Sequence, residues 1–262
     1  MAARWCATLD RAMPQDGTMP QGIHFCLCLP DAPTAALGPD GHPRRSDDPA
    51  SLLPPIALPR RMWASSAMTF HARLRVGEAV TRTTRVAAID EKQGGSGALV
   101  FVRLLHETSG PAGLAVSEVQ TLVYRDAPPA GSPPVPAPPG SGHFDASAWD
   151  VHRALTPEAP LLFRYSALTF NSHRIHYDYP YVTGQEGYRG LVVHGPLMAT
   201  LVLDLAQREL GDNALKTFQF RAMSPAIAGE MLHLVLRREG AALRLGASAA
   251  DGREVLRAEA SV

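Results

Sequence analysis

Asn171, His173 and His176 fall within one six-residue stretch, and after a Gly-rich turn the chain reads His194-Gly195-Pro196 where a helix should begin. Imidazole is the side chain that exchanges a proton near neutral pH. The first turn of a helix leaves backbone N–H groups free to face an anion. A proton mover opposite an anion hole suits a reaction that passes through an enolate. Each residue also has a plainer role open to it. His173 could be a structural hydrogen-bonder, and the His173/His176 pair has no third ligand for a metal. Asp178 would lie on the side of His176 in an extended chain and could fix its tautomer, or it could face solvent. His194 could shape the turn with a hydrogen bond. Arg174 and Arg189 could be surface residues, or could grip a second carboxylate on a substrate through bidentate contacts.

These groups need a scaffold. Pro196 fits the first turn of a helix and Gly211 its end, and Leu197, Met198, Leu201, Val202 and Leu205 leave few polar positions before Gln207. A helix this apolar must be covered on most sides, and antiparallel strands can do that by wrapping it. Strand-like runs are expected at 161–170, 215–222, 231–237, 242–249 and 254–262. The first half carries its own meander, at 68–74, 80–89, 99–107 and 116–124, preceded by a helix near 3–12 and a strand at 23–29. Between the halves, residues 127–142 are almost wholly Pro, Gly, Ala and Ser, with seven prolines, so they form neither helix nor sheet interior. The expected division is 1–126, a linker at 127–143, and 144–262. The run Phe70-His71-Ala72-Arg73 to Gly77-Glu78 is echoed by Phe220-Arg221-Ala222-Met223 to Gly229-Glu230, which favours two related halves.

Lys+Arg and Asp+Glu balance at 25 each, so the charge pattern offers no footprint for nucleic acid or an anionic membrane. No run approaches the ~20 apolar residues of a membrane helix. The opening Met-Ala-Ala-Arg-Trp-Cys leads into no signal-peptide core. A soluble cytoplasmic protein is expected. Cys6, Cys26 and Cys28 are an odd set suited to reduced thiols, and with no further ligands at metal spacing no metal site is expected.

The run 165–178, Tyr-Ser-Ala-Leu-Thr-Phe-Asn-Ser-His-Arg-Ile-His-Tyr-Asp, followed by 187–197, Gly-Tyr-Arg-Gly-Leu-Val-Val-His-Gly-Pro-Leu, resembles the MaoC-type, hydratase-2 group of acyl-thioester hydratases. Residues 37–45 and 58–63 resemble the dehydratase domain fused N-terminally to it. The resemblance implies an α+β double hot-dog fold with two antiparallel sheets, the C-terminal one wrapped around a long buried helix. It implies reversible hydration of an α,β-unsaturated acyl-CoA thioester, with no cofactor, since the CoA thioester is itself the substrate. Such enzymes use an Asp, a His five residues later, and an amide at the start of the central helix. Here these positions hold Asn171, His176 and Gly195. An amide side chain is no base at neutral pH, so His176 is assigned proton transfer, Asn171 the placing of water, and Gly195 N–H the oxyanion. His173, Arg174, Asp178, Arg189 and His194 are the expected substrate-binding surroundings. The two-domain pattern is similar to hydratases of branched C5-dicarboxylyl-CoA esters, of the 3-methylfumaryl-CoA (mesaconyl-CoA) or itaconyl-CoA kind. A (3R)-hydroxyacyl-thioester dehydratase of fatty-acid metabolism, a thioesterase and a non-catalytic acyl-thioester-binding module stay open. A homodimer is allowed but not required, because a duplicated chain already pairs with itself.

Overall fold

In the computed structural model, residues 1–46, 48, 51–94, 97–127, 129 and 131–262 are described. Gly95 and Ser96, between the expected runs 80–89 and 99–107, and Pro128 and Ala130 of the expected linker, lie outside them.

Four long strands make up the first half: β1 (Arg60–Phe70), β2 (Thr81–Gly94), β3 (Gly97–Gly110) and β4 (Gly113–Arg125). The second half has β5 (Val151–Leu155), β6 (Thr217–Ala222), β7 (Leu232–Glu239), β8 (Ala242–Ala249) and β9 (Glu254–Ser261). All nine belong to one sheet, in the order β2-β3-β4-β1-β6-β9-β8-β7-β5. This corrects the expectation of two sheets. The halves are stitched by an antiparallel ladder from Ser65↔Arg221 to Thr69↔Thr217, which satisfies on each side backbone groups that a free edge would leave open. Read outward from the central pair, β1-β4-β3-β2 on one side is mirrored by β6-β9-β8-β7 on the other, with β5 added beyond β7.

Helix α4 (Gly195–Leu210), the fourth in the chain, matches its sequence reading, with every residue from Leu197 to Gln207 buried. It packs on β1, β6, β7, β8 and β9. Its one buried acid, Asp204, is held by Arg11, Arg153 and Arg208 at 3.1, 3.3 and 2.7 Å. At the N-terminus lies α1 (Ala2–Thr8), whose Trp5 ring is 6.2 Å from that of Tyr165.

Several elements differ from the sequence reading. Residues 161–170, expected as a strand, form α2 (Ala159–Thr169), because Leu162, Tyr165 and Leu168 bury one face at a spacing of three while Pro160 starts the helix. Residues 23–29, expected as a strand, begin as a 3-10 turn at Ile23–Cys26, entered from Gly22 at φ 93°. Cys6, Cys26 and Cys28 are free thiols. Strand β1 starts eight residues before its expected position, and β5 was not anticipated. Past β4 the Pro-rich segment takes no regular element among the described residues, but Val135 bridges to Tyr188 and runs beside the 187–189 turn. No helix among them is long and apolar enough to cross a membrane.

Candidate active site

The turn after α2 carries the first cluster. Phe170 ends the helix in the left-handed region at φ 49°, and Asn171 N–H donates to Ser166 O at 2.9 Å. Asn171 Oδ1 then accepts the His173 N–H at 2.9 Å, which shapes the loop into the 3-10 turn Arg174–His176. Asp178 caps the next helix, α3 (Tyr179–Gly184), by accepting the Tyr181 N–H at 3.0 Å.

His176 is buried, and its Nδ1 lies 2.7 Å from the carbonyl oxygen of Val192. A carbonyl only accepts, so Nδ1 carries the hydrogen and Nε2 presents a lone pair. The same loop ties this imidazole to the start of α4. Val192 N–H donates to Ile175 O at 3.0 Å, and two residues on, His194 stacks on His176 with ring centres 3.5 Å apart. His194 Nε2 meets Ser166 Oγ at 2.8 Å, while its buried Nδ1 has no partner. His173 stands edge-on to His176 at 5.5 Å. Helix α4 has no side-chain cap, so the Gly195 N–H keeps the free donor character of a helix N-terminus.

Burial sets the protonation of these rings. It pushes His176 down to about 3, with neighbouring His173 adding to the effect despite the Val192 hydrogen bond. His173 is pushed down to about 3 by burial and then by His42, and His194 falls well below its usual value by burial and by His176. All three are neutral at pH 7. The site therefore holds an uncharged imidazole with a fixed tautomer, close to a helix N-terminus.

The charged residues fall differently from the sequence reading. Asp178 does not orient His176, since its carboxylate is committed to the α3 cap and to Arg174, at 2.7 Å from one guanidinium nitrogen and 3.0 Å from Nε; Val192 O fills the orienting role. Arg174 also lies 4.0 Å over the Tyr181 ring, and Arg189 is doubly bonded to Glu230. Neither arginine awaits a carboxylate from outside. Arg61 on β1 acts by its charge on His173 and has no ion pair among the described residues. Asp204 lies nine residues beyond Gly195, about 13 Å along the helix. Its carboxylate is committed to three arginines, away from the helix N-terminus.

The loop at 38–43 belongs to the segment whose sequence resembles a fused dehydratase domain, and the sequence reading assigns none of its residues to the site. It presses onto the 172–174 turn. Ser172 Oγ donates to Gly41 O at 2.6 Å, Arg174 N–H to Asp40 O at 2.8 Å and the Arg174 guanidinium to Pro39 O at 2.9 Å. Gly41 is obligatory there, since at φ +87° a Cβ would lie 1.9 Å from Ser172 O. The loop brings the His42 ring to 4.0 Å from that of His173. Asp40, His42 and His173 place one metal-ligand atom each within 4.8 Å of one another, a grouping that sequence spacing could not reveal.

Residues 22–228 match the family profile described as hydroxyacyl-thioester dehydratase type 2. The chain is 40% identical over 245 residues to the mesaconyl-C(4)-CoA hydratase of Chloroflexus aurantiacus, covering 93% of this chain and 83% of that protein. Among solved structures, HtdX of Mycobacterium tuberculosis superposes with a TM-score of 0.70 at 19% identity, over 99% of this chain and 94% of that one. A second Mycobacterium tuberculosis protein, described as having a double hotdog fold, superposes with a TM-score of 0.56 at 17% identity, over 100% of this chain and 86% of that one.

Proposed function

The chain belongs to the hydroxyacyl-thioester dehydratase type 2 family and is a hydro-lyase of acyl-CoA thioesters, and from that premise we propose that it hydrates a branched C5-dicarboxylyl-CoA such as 3-methylfumaryl-CoA. The observation that carries the mechanism is the Val192 carbonyl on His176 Nδ1, which leaves Nε2 as the base. His176 Nε2 takes a proton from water as the water oxygen bonds to the β-carbon. Negative charge passes to the thioester oxygen, where the Gly195 N–H receives it, and the imidazolium returns the proton to the α-carbon. Asn171 holds the water or the thioester in place. On this reading the chemistry draws on no bound metal or redox cofactor, because an imidazole and an oxyanion donor suffice.

The dicarboxylate substrate is supported by the 40% identity to the mesaconyl-C(4)-CoA hydratase and by Arg61, which acts by its charge on His173, has no ion pair among the described residues and can take the second carboxylate. We also read the mirrored strand order as two fused hot-dog halves, 1–126 and 144–262 joined by 127–143, of which the second alone keeps the long central helix among the described residues.

A mass-spectrometric hydration assay with 3-methylfumaryl-CoA and crotonyl-CoA tests this. Gain of one water on the dicarboxylate ester, lost by at least 100-fold in His176→Ala, is the expected result. Hydration of crotonyl-CoA alone would move the substrate to fatty-acyl thioesters. No turnover of either would favour a binding module.

A further inference from the structure

His176 gains a positive charge when it takes a proton, in surroundings that resist charge. Its ring is buried between His194 at 3.5 Å and the edge of His173 at 5.5 Å. Asn171, hydrogen-bonded to the same loop, is a neutral amide. The other charged groups of that loop, Arg174 and Asp178, neutralise each other, and Arg61 is a cation.

The anion comes from the other half of the chain. Asp40 Oδ1 accepts the His42 N–H at 3.0 Å, and Oδ2 lies 3.0 Å from His42 Nδ1. Burial works against this carboxylate, but the His42 hydrogen bonds outweigh it and hold Asp40 ionised well below the usual range. An ionised carboxylate only accepts, so His42 Nδ1 is the donor. The His42 ring lies 4.0 Å from that of His173, which in turn meets His176. A carboxylate followed by three imidazoles therefore ends at the base. Three hydrogen bonds from Ser172 and Arg174 to the backbone of Pro39, Asp40 and Gly41 fix the loop in place.

Resting on the reading of His176 as the base, we propose that Asp40 is a positioning residue that acts through His42 and His173 as the counter-charge for the His176 imidazolium. Asp40 touches neither water nor thioester and stays an anion throughout. The proton moves only from water to His176 Nε2, as the O–H bond breaks and the O–Cβ bond forms. It then moves from Nε2 to the α-carbon as the enolate collapses. A nearby anion stabilises the one intermediate in which the ring is charged, which lowers the barrier without changing ground-state binding.

Asp40→Asn removes the charge, and with it the acceptor for His42 Nδ1–H, while its amide oxygen still accepts the His42 backbone N–H and keeps the turn. The expected result is a fall in kcat of about 10- to 100-fold with KM nearly unchanged. In an Asn171→Asp background, which places a second carboxylate on the His173 loop, Asp40→Asn should cost a smaller factor. An unchanged kcat, or an equal factor in both backgrounds, would overturn the proposal. Loss of activity on dialysis against a chelator, restored by Zn²⁺, would overturn it in favour of a metal held by Asp40, His42 and His173. The unaltered protein and His176→Ala separate the two layers. Full activity in His176→Ala refutes the base assignment, whereas an active protein insensitive to Asp40→Asn refutes only the counter-charge.

Discussion

Lowering the pH from 7 to 5 should destabilise this protein before its carboxylates titrate. His173 and His176 sit at about 3 in the folded chain against 6.5 without burial, and His194 is also lowered. A histidine depressed by folding contributes stability that is complete above its unfolded pKa and is lost as pH falls below it, because there only the unfolded chain takes up protons. Each such group costs about 1.4 kcal/mol per pH unit, so between 6.5 and 5.0 His173 and His176 together remove about 4 kcal/mol. His194, His106 and His233, all lowered, act with the same sign. Against a total stability of about 5–15 kcal/mol this is a large share, equivalent to a drop in Tm of about 8–16 °C. Asp40 and Glu118, lowered in the folded state, lose their contribution only as pH falls below about 4, outside the window. Thermal unfolding at pH 7, 6 and 5 at fixed ionic strength measures the effect. His173→Asn should recover about 2 kcal/mol of the acid loss. A Tm that stays flat from pH 7 to 5 would refute the neutral, buried histidine stack.

Arg61→Ala should raise KM for 3-methylfumaryl-CoA about tenfold or more while leaving crotonyl-CoA kinetics nearly unchanged; equal effects on both would remove Arg61 as the carboxylate partner. Asp204→Ala strands three arginine side chains around an empty site in the core and should lower stability by about 3 kcal/mol in denaturant titrations, well away from the chemistry. Gly41→Ala drives a methyl into Ser172 O at a left-handed position, so the 38–43 loop must lift. Its kcat should fall at least tenfold while the far-UV circular dichroism spectrum is kept, and normal turnover would show the loop to be ornamental to catalysis.

The central helix was legible because its signals are local: Pro196 at one end, Gly211 at the other, and an apolar run between. The meanders were legible from alternation and turn residues. Residues 161–170 misled because a run of Leu, Phe and Tyr suits either element, and only the spacing of Leu162, Tyr165 and Leu168 separates them. The histidines of the site were readable as residue types, but their states were not. A free His176 would titrate near 6.5, and its burial beside two other rings is a tertiary fact. Likewise Asp178, adjacent in sequence, is spent on a cap and an arginine, while the backbone of Val192, sixteen residues on, orients the ring. Asp40 and His42 carried a faint signal, two titratable residues inside a tight turn, but nothing local says which part of the chain that turn will meet.

The N-terminal arm closes the molecule over very long stretches of chain. Gly41 meets Ser172 across 131 residues, Arg11 meets Asp204 across 193, and Gln21 meets Leu215 across 194. During synthesis the arm is made long before Ser172, Asp204 and Leu215, so it cannot dock until α4 and the turn after it have followed. Loops of this size are slow to close relative to hairpins and helices. Refolding should then separate in time. The β-sheet signal returns early, tryptophan burial at Trp5 follows as the arm docks, and enzymatic turnover comes with or after that final step.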